Sequence, residues 1–141
     1  MKFWDSSALL PLIIQEKNSE SILDLHSKSE AILIWTLTPV EIVSALSRLE
    51  RMGDLSEKSF NQALEAWNVL KEGLYVVREI EEVKQRALRL LRTHPLKAAD
   101  SMQLAAALIA FADHPQGKGF VTLDTQLAKA ASKEGFEVLP H

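Results

Sequence analysis

The chain has 141 residues, of which 47% are hydrophobic and 25% charged, values suited to one globular domain with a sizeable core. Lysine and arginine number 16 against 19 aspartates and glutamates, a net charge of -3, which disfavours a protein that coats nucleic acid by charge alone. There is no cysteine, no apolar run near the ~20 residues of a membrane helix and no signal-peptide architecture in MKFWD; disulfides, thiolate metal sites and cysteine nucleophiles are excluded, and a reducing cytoplasm is the expected setting.

Lys2 to Trp4 is a short first strand, followed by a helix expected from about Ser7 to Glu16 and a second short helix from Ser19 to Lys28. Ala31 to Trp35, AILIW, is a continuous apolar run typical of a strand buried on both faces. Pro39 to Met52 places Ile42, Ala45, Leu46, Leu49 and Met52 on one helical face, and Gly53 closes that helix. A helix over Ser56 to Glu72 ends at Gly73, and Leu74 to Val77 is a strand. Ile80 to Arg92 is a helix broken at His94-Pro95, and Ala98 to about Ala112 is one rich in alanine and leucine. Gly119 to Leu123 is a strand, Thr125 to Glu134 a helix and Phe136 to Leu139 a last strand. With no repeat, linker or low-complexity segment, residues 1–141 read as one domain. Alternating strands and helices imply a mostly parallel sheet of five strands covered on both faces, with its functional crevice at the carboxyl ends of the strands.

Asp5, Glu41, Asp100 and Asp124 fall at that rim, in KFWDSSALL, TLTPVEIVSAL, LKAADSMQLAAAL and FVTLDTQLAKAA. Carboxylates beside apolar surface are costly unless their charge is compensated. Asp5 and Asp124 each have an alternative as a helix N-cap, although Ser6 and Ser7 could cap in place of Asp5. Ser7 could also orient a metal-binding carboxylate by hydrogen bonding. Glu41 stands at a fork: Thr38-Pro39-Val40-Glu41 fits a capping box, yet Glu41 borders the apolar face. Asp100 is the sharpest case, because it lies above Leu104, Ala107 and Phe111 on an apolar helix. A helix dipole explains the sign of its charge but not its place. Converging acids raise each other's pKa values, and one or two Mg²⁺ or Mn²⁺ ions would remove that penalty and serve phosphodiester hydrolysis.

The ordered set WDSSALL, TPVEIVSAL, LKAADSMQLAAAL and VTLDTQLAKAA resembles the PIN-domain ribonucleases over essentially the whole chain, with VapC-type toxins of toxin–antitoxin pairs as the closest likeness. That resemblance implies a three-layer α/β/α fold and a metal site formed by Asp5, Glu41, Asp100 and Asp124, supported by Ser7. It also implies RNA as substrate, a homodimer, and an antitoxin segment lying over the active-site groove. Where the family commonly has arginine shortly before the third acid, this chain has Lys97, a less directional phosphate contact.

Arg86, Arg89 and Arg92 recur at three-residue spacing and could steer RNA, although a solvated helix face paired with nearby glutamates is the favoured reading. Trp4, Trp35 and Trp67 could stack bases, with core or interface packing preferred for Trp4 and Trp35. His26, His94, His114 and His141 show no metal-ligand spacing. Two other classes remain. A receiver-like phosphoacceptor domain would want an acidic pair after the first strand and a late lysine after a strand, and neither is present; a non-catalytic RNA- or protein-binding module is not excluded by sequence.

Overall fold

A computed structural model describes residues 1–28 and 30–141. Five strands, β1 (Lys2–Trp4), β2 (Ile32–Trp35), β3 (Tyr75–Val77), β4 (Gly119–Val121) and β5 (Glu137–Leu139), form one sheet in the order β3-β2-β1-β4-β5. All four pairings are parallel. The helices are α1 (Ser6–Leu9), α2 (Ser19–Ser27), α3 (Thr38–Arg51), α4 (Glu57–Leu70), α5 (Ile80–Thr93), α6 (Ala98–Ala110) and α7 (Thr125–Glu134).

The period-2 pleat divides each strand between two cores. Phe3, Leu33, Trp35 and Phe120 point to one face, where they meet Val83, Ala87 and Leu90 of α5, the alanine-rich side of α6, and Leu127 of α7. Trp4, Ile32, Ile34 and Val121 point to the other, against Ala8 and Leu9 of α1, Ile22 of α2, Ile42 and Leu46 of α3, and Trp67 of α4. This is the expected α/β/α sandwich, and it explains why AILIW is apolar without alternation: all of Ile32–Trp35 is buried. Phe3 and Phe120 stack across adjacent strands with ring centroids 5.3 Å apart. All three tryptophans are buried, so Trp67 offers no exposed face on which a base could stack.

Three expected elements change shape. The helix expected over residues 7–16 is only α1 followed by a single 3₁₀ turn, Leu10–Leu12. Pro11 has no N–H to donate to the preceding turn, and the helix gives way there. Helix α4 stops at Leu70, and Lys71–Gly73 is a 3₁₀ turn. Strand β4 ends two residues early because the Leu123 N–H donates to Ser7 Oγ and the Asp124 N–H to Thr122 Oγ1 rather than to a neighbouring strand. Helix α3 closes as expected, with Gly53 in the left-handed region at φ 82°.

Strand order reverses beside β1: the chain first builds outward through β2 and β3, then returns to lay β4 on the other side of β1. The crevice of a parallel sheet opens at such a switch point. Asp5 leaves the carboxyl end of β1, and its N–H donates to Val121 O of β4 at 3.0 Å. Asp124 lies just past β4.

Candidate active site

Asp5 is 3% exposed. Its Oδ2 accepts from Ser7 Oγ at 2.6 Å, from Thr122 Oγ1 at 2.9 Å and from the Ser7 N–H at 3.4 Å. Burial pushes the Asp5 carboxyl above its ordinary value, and the hydrogen bonds from Ser7 and Thr122 oppose that rise. Ser7 thus supports Asp5 directly, and it also binds the chain after β4 through Leu123.

Glu41 leaves the first turn of α3 and does not close a capping box. The helix lacks a side-chain cap, and Thr38 Oγ1 is taken by the Trp35 N–H at 3.3 Å and by Gln103 Nε2 at 3.2 Å. Glu41 turns toward Asp5 instead. Its Oε1 accepts from Ser6 Oγ at 2.9 Å and from Gln103 Nε2 at 2.6 Å. Burial raises the Glu41 carboxyl; Gln103 and Ser6 pull it down, and the charges of Asp5 and Asp100 push it up again.

Asp100 sits in the first turn of α6, half-buried, and among the described residues no side chain or backbone N–H donates to it. Its carboxyl is pushed up to about 6, first by burial and then by the charges of Asp124 and Asp5, with Lys97 opposing. Lys97 immediately precedes α6. Asp124 does cap α7, through Oδ1 to the Leu127 N–H at 2.8 Å, and its other oxygen is left unbonded by the described residues.

Hydrogen bonds therefore run from Glu41 through Ser6 to Asp5 and through Thr122 to Asp124, while Asp100 joins the set by its field alone. Among the described residues no three acidic or histidine side chains are gathered closely enough to hold a metal ion. The donor set nonetheless suits a hard cation: it is all carboxylate oxygen, three acids each keep an oxygen with no donor within 3.2 Å among the described residues, and Asp100 keeps both.

The arginine stripe of α5 lies elsewhere in part. Arg86 makes a two-pronged ion pair with Asp113, rather than with a nearby glutamate. Asp113 lies just beyond the far end of α6, whose last residue, Ala110, is ~15 Å along the helix from Asp100 at 1.5 Å per residue. Ala112 and Asp113 lie in left-handed backbone at φ 51° and 61°. His94 is buried and bonds Glu134 of α7 through Nε2 at 2.6 Å, an internal role that its spacing did not suggest. Ser6, Thr122 and Gln103 are the site residues that sequence reasoning missed. For Gln103 and Thr122 the available signal was a polar residue set inside an apolar run, MQLAAALIA and FVTL.

The PIN domain model matches residues 2–133. The chain belongs to the PIN-domain family. It is 30% identical over 138 residues to Ribonuclease VapC45 of Mycobacterium tuberculosis (strain CDC 1551 / Oshkosh), a match covering 98% of this chain and 94% of that protein. Among solved structures, it superposes on M. tuberculosis VapC20, described as a sarcin-ricin loop cleaving toxin, with a TM-score of 0.66, 14% identity and 97% of each chain covered. A toxin–antitoxin complex from Klebsiella pneumoniae superposes with a TM-score of 0.63 and 16% identity over 89% of this chain and 88% of that one. The PIN match and the VapC relative place the chain among VapC-type PIN domains. The receiver-like alternative fails on topology as well, since that fold orders its strands 2-1-3-4-5.

Proposed function

We propose that this protein is a Mg²⁺- or Mn²⁺-dependent endoribonuclease, built as a single PIN domain over residues 1–141, and the toxin of a toxin–antitoxin pair. The observation that carries the reading is the set of four carboxylates at the switch point of the sheet, with Asp100 raised to about 6 and opposed only by Lys97. The VapC45 and VapC20 likenesses support RNA as the substrate. The Klebsiella complex supports a protein antitoxin as partner. A homodimer in the cytoplasm completes the proposal, and no helix among the described residues is long and apolar enough to cross a membrane.

Asp5, Glu41, Asp100 and Asp124 would hold the cation, which when bound supplies positive charge to the scissile phosphate and makes water a better nucleophile. The protein's own work is orientation. Ser7 and Thr122 fix the Asp5 carboxylate, and Asp124 is fixed by the helix it caps. Lys97, beside Asp100, can meet a phosphate oxygen as a point charge. Arg89 and Arg92 remain possible RNA contacts, whereas Arg86 would first have to leave Asp113. No histidine, cysteine or lysine nucleophile is required.

The test is cleavage of cellular RNA by the purified protein with Mg²⁺ or Mn²⁺, with EDTA and with Asp5→Ala and Asp100→Ala as controls. Cleavage that survives EDTA, or variants as active as the native chain, would overturn the proposal. Binding of RNA without cleavage would assign the chain to the non-catalytic alternative.

A further inference from the structure

Gln103 is a polar side chain at 0% exposure in a helix otherwise packed through Leu104, Ala105, Ala106, Ala107 and Leu108. Its amide is used asymmetrically. Nε2 donates to Glu41 Oε1 at 2.6 Å and to Thr38 Oγ1 at 3.2 Å. Oε1 is buried and has no partner among the described residues. A buried carbonyl oxygen without a donor costs stability, and methionine would fill a similar volume without that cost. Packing therefore does not account for glutamine at this position, whereas the bond to Glu41 does.

Ser6 acts on the same oxygen from the opposite element. Its single hydroxyl proton points at Glu41 Oε1 at 2.9 Å, with Asp5 Oδ1 the more distant acceptor at 3.4 Å. Two donors from α1 and α6 thus converge on one oxygen of a carboxylate carried by α3. Among the described residues nothing donates to the other oxygen.

We infer that Gln103, together with Ser6, is a positioning residue that ties down Glu41 Oε1 so that Oε2 alone is presented to the cation. The inference rests on the metal-dependent reading above. It makes Glu41 a one-oxygen ligand with a set direction, and it links α6, which carries Asp100, to α3, which carries Glu41. Outer hydrogen bonds of this kind, when removed, typically weaken metal affinity by about 10- to 100-fold.

The experiment is titration of the full-length protein with Mn²⁺ alone, followed by electron paramagnetic resonance, beside thermal unfolding in EDTA and the rate of RNA cleavage. Gln103→Met is expected to weaken Mn²⁺ binding about tenfold, to leave the metal-free melting temperature unchanged or higher, and to regain cleavage when Mn²⁺ is raised. Ser6→Ala, which removes the second donor without touching the core, is expected to weaken binding in the same direction, and it decides the matter if Gln103→Met does not fold. Both variants binding Mn²⁺ as tightly as the native chain would overturn the inference, as would a lowered melting temperature with unchanged affinity. In either case native binding that is lost in Asp100→Asn would leave the proposed function standing. A native chain that binds no Mn²⁺ would overturn both.

Discussion

Asp5 and Asp100 carry the same carboxyl group at the same rim of the sheet, and their surroundings are opposite. Asp5 is the more deeply buried, yet Ser7 and Thr122 supply donors to it, so part of its charge is already met by the protein. Asp100 is only half-buried, receives no donor from the described residues and lies in the fields of two other acids. The fold thus meets one carboxylate with its own hydrogen-bond donors and leaves the other with none among the described residues, while burial raises both.

Variants can break or sharpen this contrast. The largest effect should be shared by both sides: on the proposed mechanism Asp5→Ala and Asp100→Ala should each lower RNA cleavage about 100-fold or more, since each would remove a ligand from a cation worth several kcal/mol to the reaction. A rate assay at saturating Mn²⁺ checks this, and an active Asp5→Ala would mean that the tied-down carboxylate is structural only.

The next effect should separate the two. In EDTA, Asp5→Ala should destabilise the fold by about 2 kcal/mol, because Ser7 and Thr122 lose their acceptor in a buried place. Urea unfolding measures it. Asp100→Asn should act the other way and stabilise the metal-free protein at pH 7.5 by ~1 kcal/mol, a figure reduced for the partial solvent exposure of the group. The sign follows from linkage. The folded carboxyl, at about 6, holds its proton to higher pH than the unfolded one, at 3.8, so the folded state binds more protons between those values. Metal-free stability should therefore fall as pH rises from about 4 to about 6, and Asp100→Asn should flatten that slope. Saturating Mg²⁺ should erase the advantage of the asparagine. A metal-free protein whose stability rises through that window in step with Asp100 would contradict the contrast.

The smallest effect belongs to a residue outside both halves. Arg86→Gln should cost no more than about 1 kcal/mol, the usual value of a partly exposed ion pair, and should leave Mn²⁺ affinity unchanged. A large fall in RNA cleavage for Arg86→Gln, with stability intact, would show that this arginine exchanges Asp113 for the substrate.

Much of this was legible in the sequence, and the parts that were not share a cause. The alternation of strands and helices, the both-faces burial of Ile32–Trp35 and the odd placement of Asp100 follow from local periodicity, which a single chain displays openly. The fork at Glu41 did not, because a capping box and a turn toward Asp5 differ only in what lies across from the helix. The early end of α1 was readable at Pro11, yet the helix expected over residues 7–16 runs through it. Ser6, Thr122 and Gln103 escaped notice because each earns its place through partners 35, 117 and 62 residues away.

The amino-acid sequence by itself determined the alternation of strands and helices, the acids at strand ends and helix starts, and the PIN resemblance, since all of these are written in short-range pattern. Only the tertiary structure decided how those acids differ. It placed β4 beside β1, brought Ser7 and Thr122 to one carboxylate and Gln103 and Ser6 to another, and gave Asp100 no donor among the described residues. The physical reason is that a carboxylate's charge is set by what surrounds it in space, and those surroundings are assembled from distant parts of the chain.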